Sequence, residues 1–354
     1  MSLVLLFASA LGQAQDLSSR LDRYFTSRAE GPFNGVVLVA REGHVLFERG
    51  YGLADADLGV RNAPAMRFGI GSLTKPITAA AVMKLVERGS LKLSDPVCSF
   101  LQRCPNSWRT VTIRHLLSHT SGIPDLFGEL PAAPVDSTRR VVDAAIARHL
   151  GDSLRSPPGE RHEYSNFNYF LLGYAMEVVE GVPWESVLRR EIFGPLGMHE
   201  TAYDDVWRIM PGRVRGYAMV AGELRHINYH DHSAYAAGGL LSTLRDLLAF
   251  DVALSSARIV SDSTYRVMTT PVLGDYGLGW QMATVVGRHV RHHTGGTNGF
   301  SSYLGHYDDG TAIIILRNVE GAAAAKATGC DVAAIVFGQV SIRTARQGAC
   351  RPVP

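Results

Sequence analysis

Strand-like segments lie near both ends of this chain, and that arrangement limits the folds it can adopt more than any other feature. Residues 35–40 and 44–49 are strand-like and flank a Glu42-Gly43 turn, as in a β-hairpin. Near the other end, strand-like segments cover residues 278–286, 288–293, 301–307 and 311–317. Residues 17–28 and 322–339 are typical of helices. We therefore predict an α+β fold, an α/β sandwich whose antiparallel sheet comes from both chain ends and is flanked by the terminal helices.

The middle of the chain has a helical pattern instead. Helices are predicted at residues 76–88, 138–150, 168–180 and 183–192, and residues 243–246 resemble a helix-capping sequence. Because 354 residues exceed a typical single domain, we predict a sheet domain (16–58 plus 276–340) with a large, mainly helical insertion (59–275). A signal segment at 1–15 and a C-terminal tail at 341–354 complete this organisation. Binding sites are common where two such domains meet.

Composition and charge exclude several classes of function. Hydrophobic residues make up 46% of the chain and charged residues 19%, as in a soluble globular protein. The net charge of +2 gives no reason to expect nucleic acid or an anionic membrane as a partner. Residues 3–10 are apolar and are followed by small residues, as in a secretory signal, although its basic start is missing; the alternative is a buried N-terminal strand or helix end. Since this run is too short to span a bilayer, we predict no stable membrane insertion. Read as a secretory signal, it predicts a periplasmic or secreted protein.

The cysteines fit the same prediction. Cys98 and Cys104 flank a short polar loop, and Cys330 and Cys350 bracket the last helix and the tail. An exported location would permit two local disulfides, which is one of three connectivities, whereas a cytosolic protein would keep free thiols. The spacing does not favour a zinc site, because no CxxC sequence occurs.

Ser72 and Lys75 lie one helical turn apart at the head of an apolar helical stretch. A serine hydroxyl is a poor nucleophile until a base takes its proton, and a lysine in apolar surroundings loses its charge readily. Gly69 and Gly71 precede the pair, as in a tight turn that leads into a helix N-terminus, where free N–H groups favour an oxyanion. The alternative is an N-cap serine beside a solvated lysine.

Two further segments carry groups suited to the same chemistry. Tyr164-Ser165-Asn166 follows a Pro-Pro-Gly loop; a phenol can relay a proton beside a lysine, and a carboxamide can orient both the lysine and a substrate carbonyl. His293-Thr294-Gly295-Gly296 ends a predicted strand, where glycines let a substrate approach the backbone. Taken singly, these segments also fit a turn tyrosine with a helix-capping asparagine and a glycine-rich hairpin.

Together and in this order, the three segments resemble the serine β-lactamase and penicillin-binding-protein superfamily. The likeness is to its class C β-lactamase-like branch, which includes D,D-peptidases, D-amino peptidases and esterases. The resemblance extends over about residues 20–340. The matching segments are FGIGSLTK at 68–75, IRHLLSHTSGIP at 113–124, PGERHEYSN at 158–166, AGGLLST at 237–243 and HTGG at 293–296.

The resemblance implies an acyl-enzyme mechanism. Ser72 would be the acylated nucleophile, and Lys75 and Tyr164 would share the general-base and general-acid work in an order that stays open. Asn166 would position Lys75 and the substrate carbonyl, and the N–H groups of Ser72 and Gly296 would form an oxyanion hole. The remaining substrate contacts would be His293, Thr294 and Gly295. No cofactor is implied.

His293 departs from most class C β-lactamases, whose third motif begins with lysine. A histidine that is largely neutral near pH 7 offers no permanent cation to a β-lactam or peptide carboxylate. We therefore predict a serine hydrolase that cleaves an ester or a D-amino-acid-containing amide or peptide, in the manner of a carboxylesterase or D,D-peptidase. The alternatives are a β-lactamase that hydrolyses β-lactam antibiotics and a non-catalytic protein that binds penicillin or senses peptidoglycan.

Histidine clusters suggest a metallohydrolase as a second rival. His115 and His119 are four residues apart, but the glutamate of the HExxH zinc motif is absent. Residues 226–232 contain three histidines and an aspartate, which we interpret as a polar loop near the cleft. No metal is therefore predicted.

Overall fold

The computed structural model describes residues 16–27, 33–130, 138–205, 207–227 and 234–338. The predicted signal segment and C-terminal tail lie outside these ranges. The helices are α1 (16–26), α2 (Thr74–Glu87), α3 (Ile113–Leu117), α4 (Thr138–Arg148), α5 (Asn166–Glu180), α6 (Trp184–Leu188), α7 (Gly194–Leu196), α8 (Tyr235–Gly238), α9 (Leu244–Ser255), α10 (Asp262–Thr269) and α11 (Ala322–Val336). The strands are β1 (Gly35–Arg41), β2 (His44–Tyr51), β3 (Leu53–Asp55), β4 (Val60–Arg61), β5 (Phe68–Gly69), β6 (Ala202–Tyr203), β7 (Tyr217–Val220), β8 (Glu223–His226), β9 (Leu240–Ser242), β10 (Gln281–Val285), β11 (Arg288–Thr297), β12 (Phe300–Tyr307) and β13 (Thr311–Arg317).

A six-stranded antiparallel sheet joins the two ends of the chain, in the order β10-β11-β12-β13-β1-β2. The pairing of β1 with β13 runs without a break from Gly35 opposite Arg317 to Arg41 opposite Thr311. The α+β fold predicted from the sequence is therefore confirmed, including the antiparallel sheet and the helices beside it.

Both faces of this sheet are buried, which explains why β1 is apolar without alternation. Val36 and Leu38 point to the core shared with α2, α5 and α9, whereas Val37 and Val39 point to a second core with α1 and α11. The first and last helices, α1 and α11, also contact each other, since the Tyr24 hydroxyl donates a hydrogen bond to the Asp331 carboxylate at 2.6 Å.

Several boundaries in the middle of the chain differ from the predicted ones. The segment contains a small sheet of β5, β9 and β6 and a β7–β8 hairpin, all with strands of two to four residues. Strands this short do not reveal their period in a sequence. α5 begins two residues before the predicted start, the predicted helix at 183–192 is α6 followed by a π-helical turn at Arg189–Phe193, and β10 begins at Gln281 instead of residue 278.

Cys98 and Cys104 form a disulfide, one of the two local bridges that the cysteine spacing permits. Cys330 is also disulfide-bonded, and Cys350 lies outside the described residues. In the part of the chain that the structure describes, every helix is too short or too polar to cross a bilayer.

Candidate active site

The turn that carries Ser72 is a short 3₁₀ helix, Gly71–Leu73, which continues directly into α2. Gly71 has a φ of +51°, and a Cβ atom there would lie 2.8 Å from the backbone nitrogen of Gly296. Glycine is therefore favoured both by the backbone conformation and by the close approach of β11. The half-buried Ser72 side chain lies where the start of α2 meets the edge of the large sheet.

Lys75 is completely buried one turn further along α2, with 0% of its surface exposed. Its Nζ lies 3.0 Å from Ser72 Oγ, 2.8 Å from Asn166 Oδ1 and 2.7 Å from the carbonyl oxygen of Ala237. Burial lowers the pKa of Lys75 from its usual value to about 7. Near neutral pH a large fraction of this side chain is therefore an uncharged amine.

The three contacts of Lys75 suit an amine that can gain or lose a proton. A neutral amine has two N–H donors and one lone pair. It can donate to the Asn166 and Ala237 oxygens, which only accept, and turn its lone pair to the Ser72 hydroxyl. The arrangement can therefore remove a proton from Ser72 Oγ.

Asn166, the first residue of α5, is held in one orientation by Asp125. Its Nδ2 donates to Asp125 Oδ2 at 3.1 Å, so Oδ1 is directed to Lys75. The other Asp125 oxygen accepts from the Phe167 N–H at 3.1 Å and so satisfies a free donor at the start of α5. The Asp125 charge also raises the pKa of Lys75, against the larger effect of burial. Sequence reasoning missed this residue, because it caps a helix that begins 41 positions later.

Tyr164 lies on the other side of the Lys75 amine. Lys75 Nζ is 4.8 Å from the centroid of the Tyr164 ring, and the Ser72 side chain interacts with the Tyr164 hydroxyl and lowers the pKa of the phenol, against the larger effect of burial. The residue as a whole is 39% exposed, but its hydroxyl is enclosed by the site, and this desolvation raises the pKa of Tyr164 above its ordinary value. The side chain is thus a protonated phenol at neutral pH.

His293 is buried and neutral. Its Nδ1 donates to the carbonyl oxygen of Thr294 at 2.7 Å, and its Nε2 accepts from the Tyr276 hydroxyl at 3.1 Å. Burial, with the nearby charge of Lys75, lowers the pKa of His293 to about 3. Both ring nitrogens are occupied and the ring carries no charge, so His293 supplies no cation to the site. Tyr276, its partner, was not singled out from the sequence.

The edge of β11 faces the Ser72 turn. β10 pairs only with residues 288–292, so residues 293–297 are paired on one side only, with β12. The sequence predicted that the strand ends at His293, whereas it continues to Thr297. A Cβ at Gly295 would lie 2.0 Å from the carbonyl oxygen of Ile70, so only glycine allows this approach. Gly296 is exposed at the edge, where a strand can offer N–H groups to an extended ligand.

The structure thus brings Ser72, Lys75, Tyr164 and Asn166 into direct contact. The 293–296 segment also lines the site, and the carbonyl oxygen of the half-buried Thr294 fixes the His293 ring. These groups come from the start of α2, the loop before α5 and the edge of β11. They place a serine hydroxyl, an amine of lowered pKa, a phenol and the N–H groups of a strand edge around one cleft.

The other histidines have different surroundings. His115 accepts from the Thr112 N–H within the capping box of α3, whereas His119 lies beyond the helix end, so the helical spacing assumed for this pair does not apply. His226 is paired with Asp57, and His230, Asp231 and His232 lie outside the described residues. Among the residues described, no group of three His, Cys, Asp or Glu side chains could hold a metal ion.

A family model described as Beta-lactamase matches residues 21–333. The chain belongs to the beta-lactamase family. The resemblance predicted from the sequence motifs is therefore confirmed. The family and its neighbours support a hydrolase with a small-molecule substrate.

Relatives of this beta-lactamase-family chain include penicillin-binding proteins. The putative penicillin-binding protein PbpX of Bacillus subtilis (strain 168) is 31% identical over 287 residues, covering 80% of this chain and 70% of the relative. A penicillin-binding protein from Bacillus halodurans has a TM-score of 0.75 and 26% identity, with 84% of this chain and 94% of that structure covered. A D-stereospecific amidohydrolase from Streptomyces sp. has a TM-score of 0.69 and 25% identity, with 93% and 98% covered.

Proposed function

We propose that this protein is a serine hydrolase that acts through an acyl-enzyme on Ser72 and cleaves an ester or a D-amino-acid-containing amide or peptide. The observation that carries the proposal is the fully buried Lys75 amine, 3.0 Å from Ser72 Oγ and with its pKa lowered to about 7. A lysine with this pKa is a competent base at neutral pH, because much of it is unprotonated.

In the acylation step, Lys75 takes the proton of Ser72 as Oγ attacks the substrate carbonyl carbon. The developing oxyanion is stabilised by the N–H groups of Ser72 and Gly296, which lie on the two backbone segments that meet at Gly71. When the bond to the leaving group breaks, the Tyr164 hydroxyl passes a proton to the departing alcohol or amine. It receives one from the Lys75 ammonium, so it ends the step as a phenol. The raised pKa of Tyr164 supports this order, since it favours the protonated form.

Deacylation uses the same groups in reverse. A water molecule attacks the ester carbonyl of the acylated Ser72 and gives its proton to the Lys75–Tyr164 pair. The bond between Oγ and the carbonyl carbon then breaks, and Oγ regains a proton as the acid product leaves. Asn166 keeps the amine in place throughout, through its bond to Lys75 Nζ.

The neutral state of His293 supports the proposed substrate class. The side chain at the start of the third motif carries no charge, so a substrate carboxylate has no permanent cation there to pair with. Within the proposed class, an ester or an amide without a carboxylate beside the scissile bond therefore suits such a site better than a peptide that ends there, and better than a β-lactam. The similarity to a D-stereospecific amidohydrolase supports the amide option.

An exported location is part of the proposal. The Cys98–Cys104 disulfide supports it, because such bonds persist in oxidising compartments such as the periplasm or the extracellular space.

The decisive experiment compares the wild type with Ser72→Ala on four substrates: nitrocefin, a D-Ala-D-Ala peptide, a D-amino acid amide and p-nitrophenyl butyrate. We expect the wild type to turn over the ester or the amide fastest, and Ser72→Ala to lose both turnover and covalent labelling by a fluorophosphonate. Activity that persists in Ser72→Ala would refute the acyl-enzyme. Fastest turnover of nitrocefin would refute the substrate class, and labelling without any turnover would indicate the non-catalytic alternative.

A further inference from the structure

His119 is fully buried and contacts the chain on both sides of Tyr164. Its carbonyl oxygen accepts a hydrogen bond from the Glu163 N–H at 2.8 Å, and its ring Nδ1 accepts from the Ser165 N–H at 3.2 Å. Its imidazole packs on the Tyr164 ring, with the two centroids 4.3 Å apart. One residue therefore fixes the backbone before and after Tyr164 and supports its ring.

The backbone of His119 is in an unusual conformation. Its φ is +56°, in the left-handed region that residues other than glycine adopt uncommonly. Such a conformation persists where the surrounding structure over-determines it, and it is concentrated at functional sites. The conformation therefore indicates that the position of the His119 side chain matters to the site.

The imidazole is not arranged for proton transfer. Because Nδ1 accepts a hydrogen bond, the ring proton is on Nε2, and Nε2 has no hydrogen-bond partner among the described residues. Burial lowers the pKa of His119 well below its ordinary value, and the charge of Lys75 lowers it further. The ring is thus a neutral, fixed acceptor that does not exchange protons with the site.

We infer that His119 is a positioning residue that holds the Tyr164 phenol against Ser72 Oγ, through its two hydrogen bonds and its ring contact. The inference rests on the proposed function, in which the Tyr164 hydroxyl passes a proton to the leaving group. Without the acceptor, the Ser165 N–H would lose its partner, and the segment that carries Tyr164 would be free to shift.

The competing explanation is that backbone hydrogen bonds already hold this segment. The Gly159 N–H donates to the Thr120 carbonyl oxygen at 2.8 Å, and the Arg155 N–H donates to the Gly122 carbonyl oxygen at 2.8 Å. The donors of these two bonds lie five and nine residues before Tyr164 along the chain. If they are sufficient, replacing the imidazole leaves catalysis unchanged.

Two substitutions separate the acceptor from the ring. His119→Asn keeps an acceptor near the position of Nδ1 and tolerates the left-handed backbone. His119→Phe keeps a flat ring and removes the acceptor. With p-nitrophenyl butyrate we expect His119→Asn to stay within about fivefold of the wild-type kcat. His119→Phe should lose about a hundredfold or more in kcat with KM changed less than about threefold, because the phenol acts after binding.

A matched control is His292→Phe. His292 is also almost completely buried and stacks on Tyr303, on the face of the sheet away from Ser72. Neither of its ring nitrogens has a hydrogen-bond partner among the residues that the structure describes. This variant should keep the wild-type kcat. Equal losses of kcat in His292→Phe and His119→Phe would mean that replacing any buried histidine impairs the enzyme through the stability of the fold, and would overturn the inference.

A double substitution tests whether His119 acts through Tyr164. The variant with both His119→Phe and Tyr164→Phe should be no slower than the slower single variant, because both changes remove the same hydroxyl from the site. Losses that multiply would contradict the positioning role. If His119→Phe does not fold, His119→Gly replaces it, since glycine suits a φ of +56°.

A crystal structure of the acceptor-free variant gives a readout that needs no turnover. The Tyr164 hydroxyl should lie farther from Ser72 Oγ than it does in a crystal structure of the wild type. This result is independent of the Ser72→Ala experiment, so the inference can stand or fall separately from the proposed function. A hydroxyl in its wild-type position would overturn the inference.

Discussion

Replacing Asp125 with asparagine should move the pH dependence of the reaction while leaving the nucleophile and base intact. The Asp125 carboxylate raises the pKa of Lys75, and its oxygens accept from Asn166 Nδ2 and the Phe167 N–H. Since the proposed base is neutral Lys75, kcat/KM should fall as the pH decreases through about 7. Removing the carboxylate lowers the pKa of Lys75 further, so this acid limb should move to lower pH.

The size of the shift follows from the connecting hydrogen bonds. Lys75 Nζ and the Asp125 carboxylate are linked through the Asn166 amide by bonds of 2.8 and 3.1 Å. With about 2.2 Å across the amide, the charges are about 8 Å apart or less. Their interaction is then about 0.5 kcal/mol in a water-like dielectric and about 2 kcal/mol at an effective dielectric of about 20. At about 1.4 kcal/mol per pKa unit, the midpoint of the acid limb should fall by about 0.4 to 1.5.

The plateau of the profile should change in the opposite direction. An asparagine side chain has only one accepting oxygen, so either Asn166 or the Phe167 N–H loses its acceptor. The orientation of the Asn166 amide is then less well fixed, and kcat/KM at pH 9 should decrease. The midpoint therefore reports the charge of Asp125, and the plateau reports its hydrogen bonds.

The assay is the pH profile of kcat/KM for p-nitrophenyl butyrate between pH 5 and 9. Asp16→Asn is the matched control, because Asp16 is an exposed carboxylate on α1, which packs on the opposite face of the sheet. It makes the same change in net charge and should leave the midpoint in place. An unchanged or higher midpoint in Asp125→Asn, or an equal shift in both variants, would refute the electrostatic argument.

Three further predictions concern packing and buried charge. Gly295→Ala should lower kcat/KM by about a hundredfold or more, because its Cβ would meet the Ile70 carbonyl oxygen, whereas Gly151→Ala, where the space is open, should not. Lys75→Met should be inactive but more stable than the wild type. Burying the charged form of Lys75 lowers the free energy of unfolding by up to about 5 kcal/mol below pH 7, and this destabilisation disappears towards pH 10. Urea unfolding should therefore show a larger stability gain for Lys75→Met at pH 6 than at pH 10. Asp251→Ala should destabilise by about 3–5 kcal/mol in the same assay at pH 7, because it leaves the buried Arg291 without its carboxylate.

The long elements of the fold could be predicted from the sequence, and the short ones could not. β1 and β13 each have seven residues and an unbroken apolar run, which is enough to recognise a buried strand. β5 and β6 have two residues each, and their pairing with β9 depends on tertiary contacts alone. The start of α5 was misplaced for a similar reason, since Ser165 makes no side-chain cap and a distant carboxylate takes that role.

Residues that carry chemistry of their own could be singled out in the candidate site. A serine, a lysine, a tyrosine and a glycine pair have recognisable uses, so motif order was sufficient to select them. Asp125, His119 and Tyr276 each contact another residue of the site, and these hydrogen-bond partners are 17 to 46 residues away in the sequence. No spacing rule connects such pairs, so only the folded arrangement reveals them.

The Ser72–Lys75 spacing acquires its chemical meaning from the packing around it. On an isolated helix the amine would be solvated and would keep its ordinary pKa, which makes it a poor base at neutral pH. Burial between the sheet and the helices lowers that pKa, and the Asn166 and Ala237 oxygens compensate part of the cost by accepting its N–H groups. Because Ala237 belongs to α8 and Asn166 to α5, loosening either helix would readmit water and return Lys75 to its charged form. Catalytic competence and the packing of these two helices should therefore be lost together, before the sheet itself unfolds.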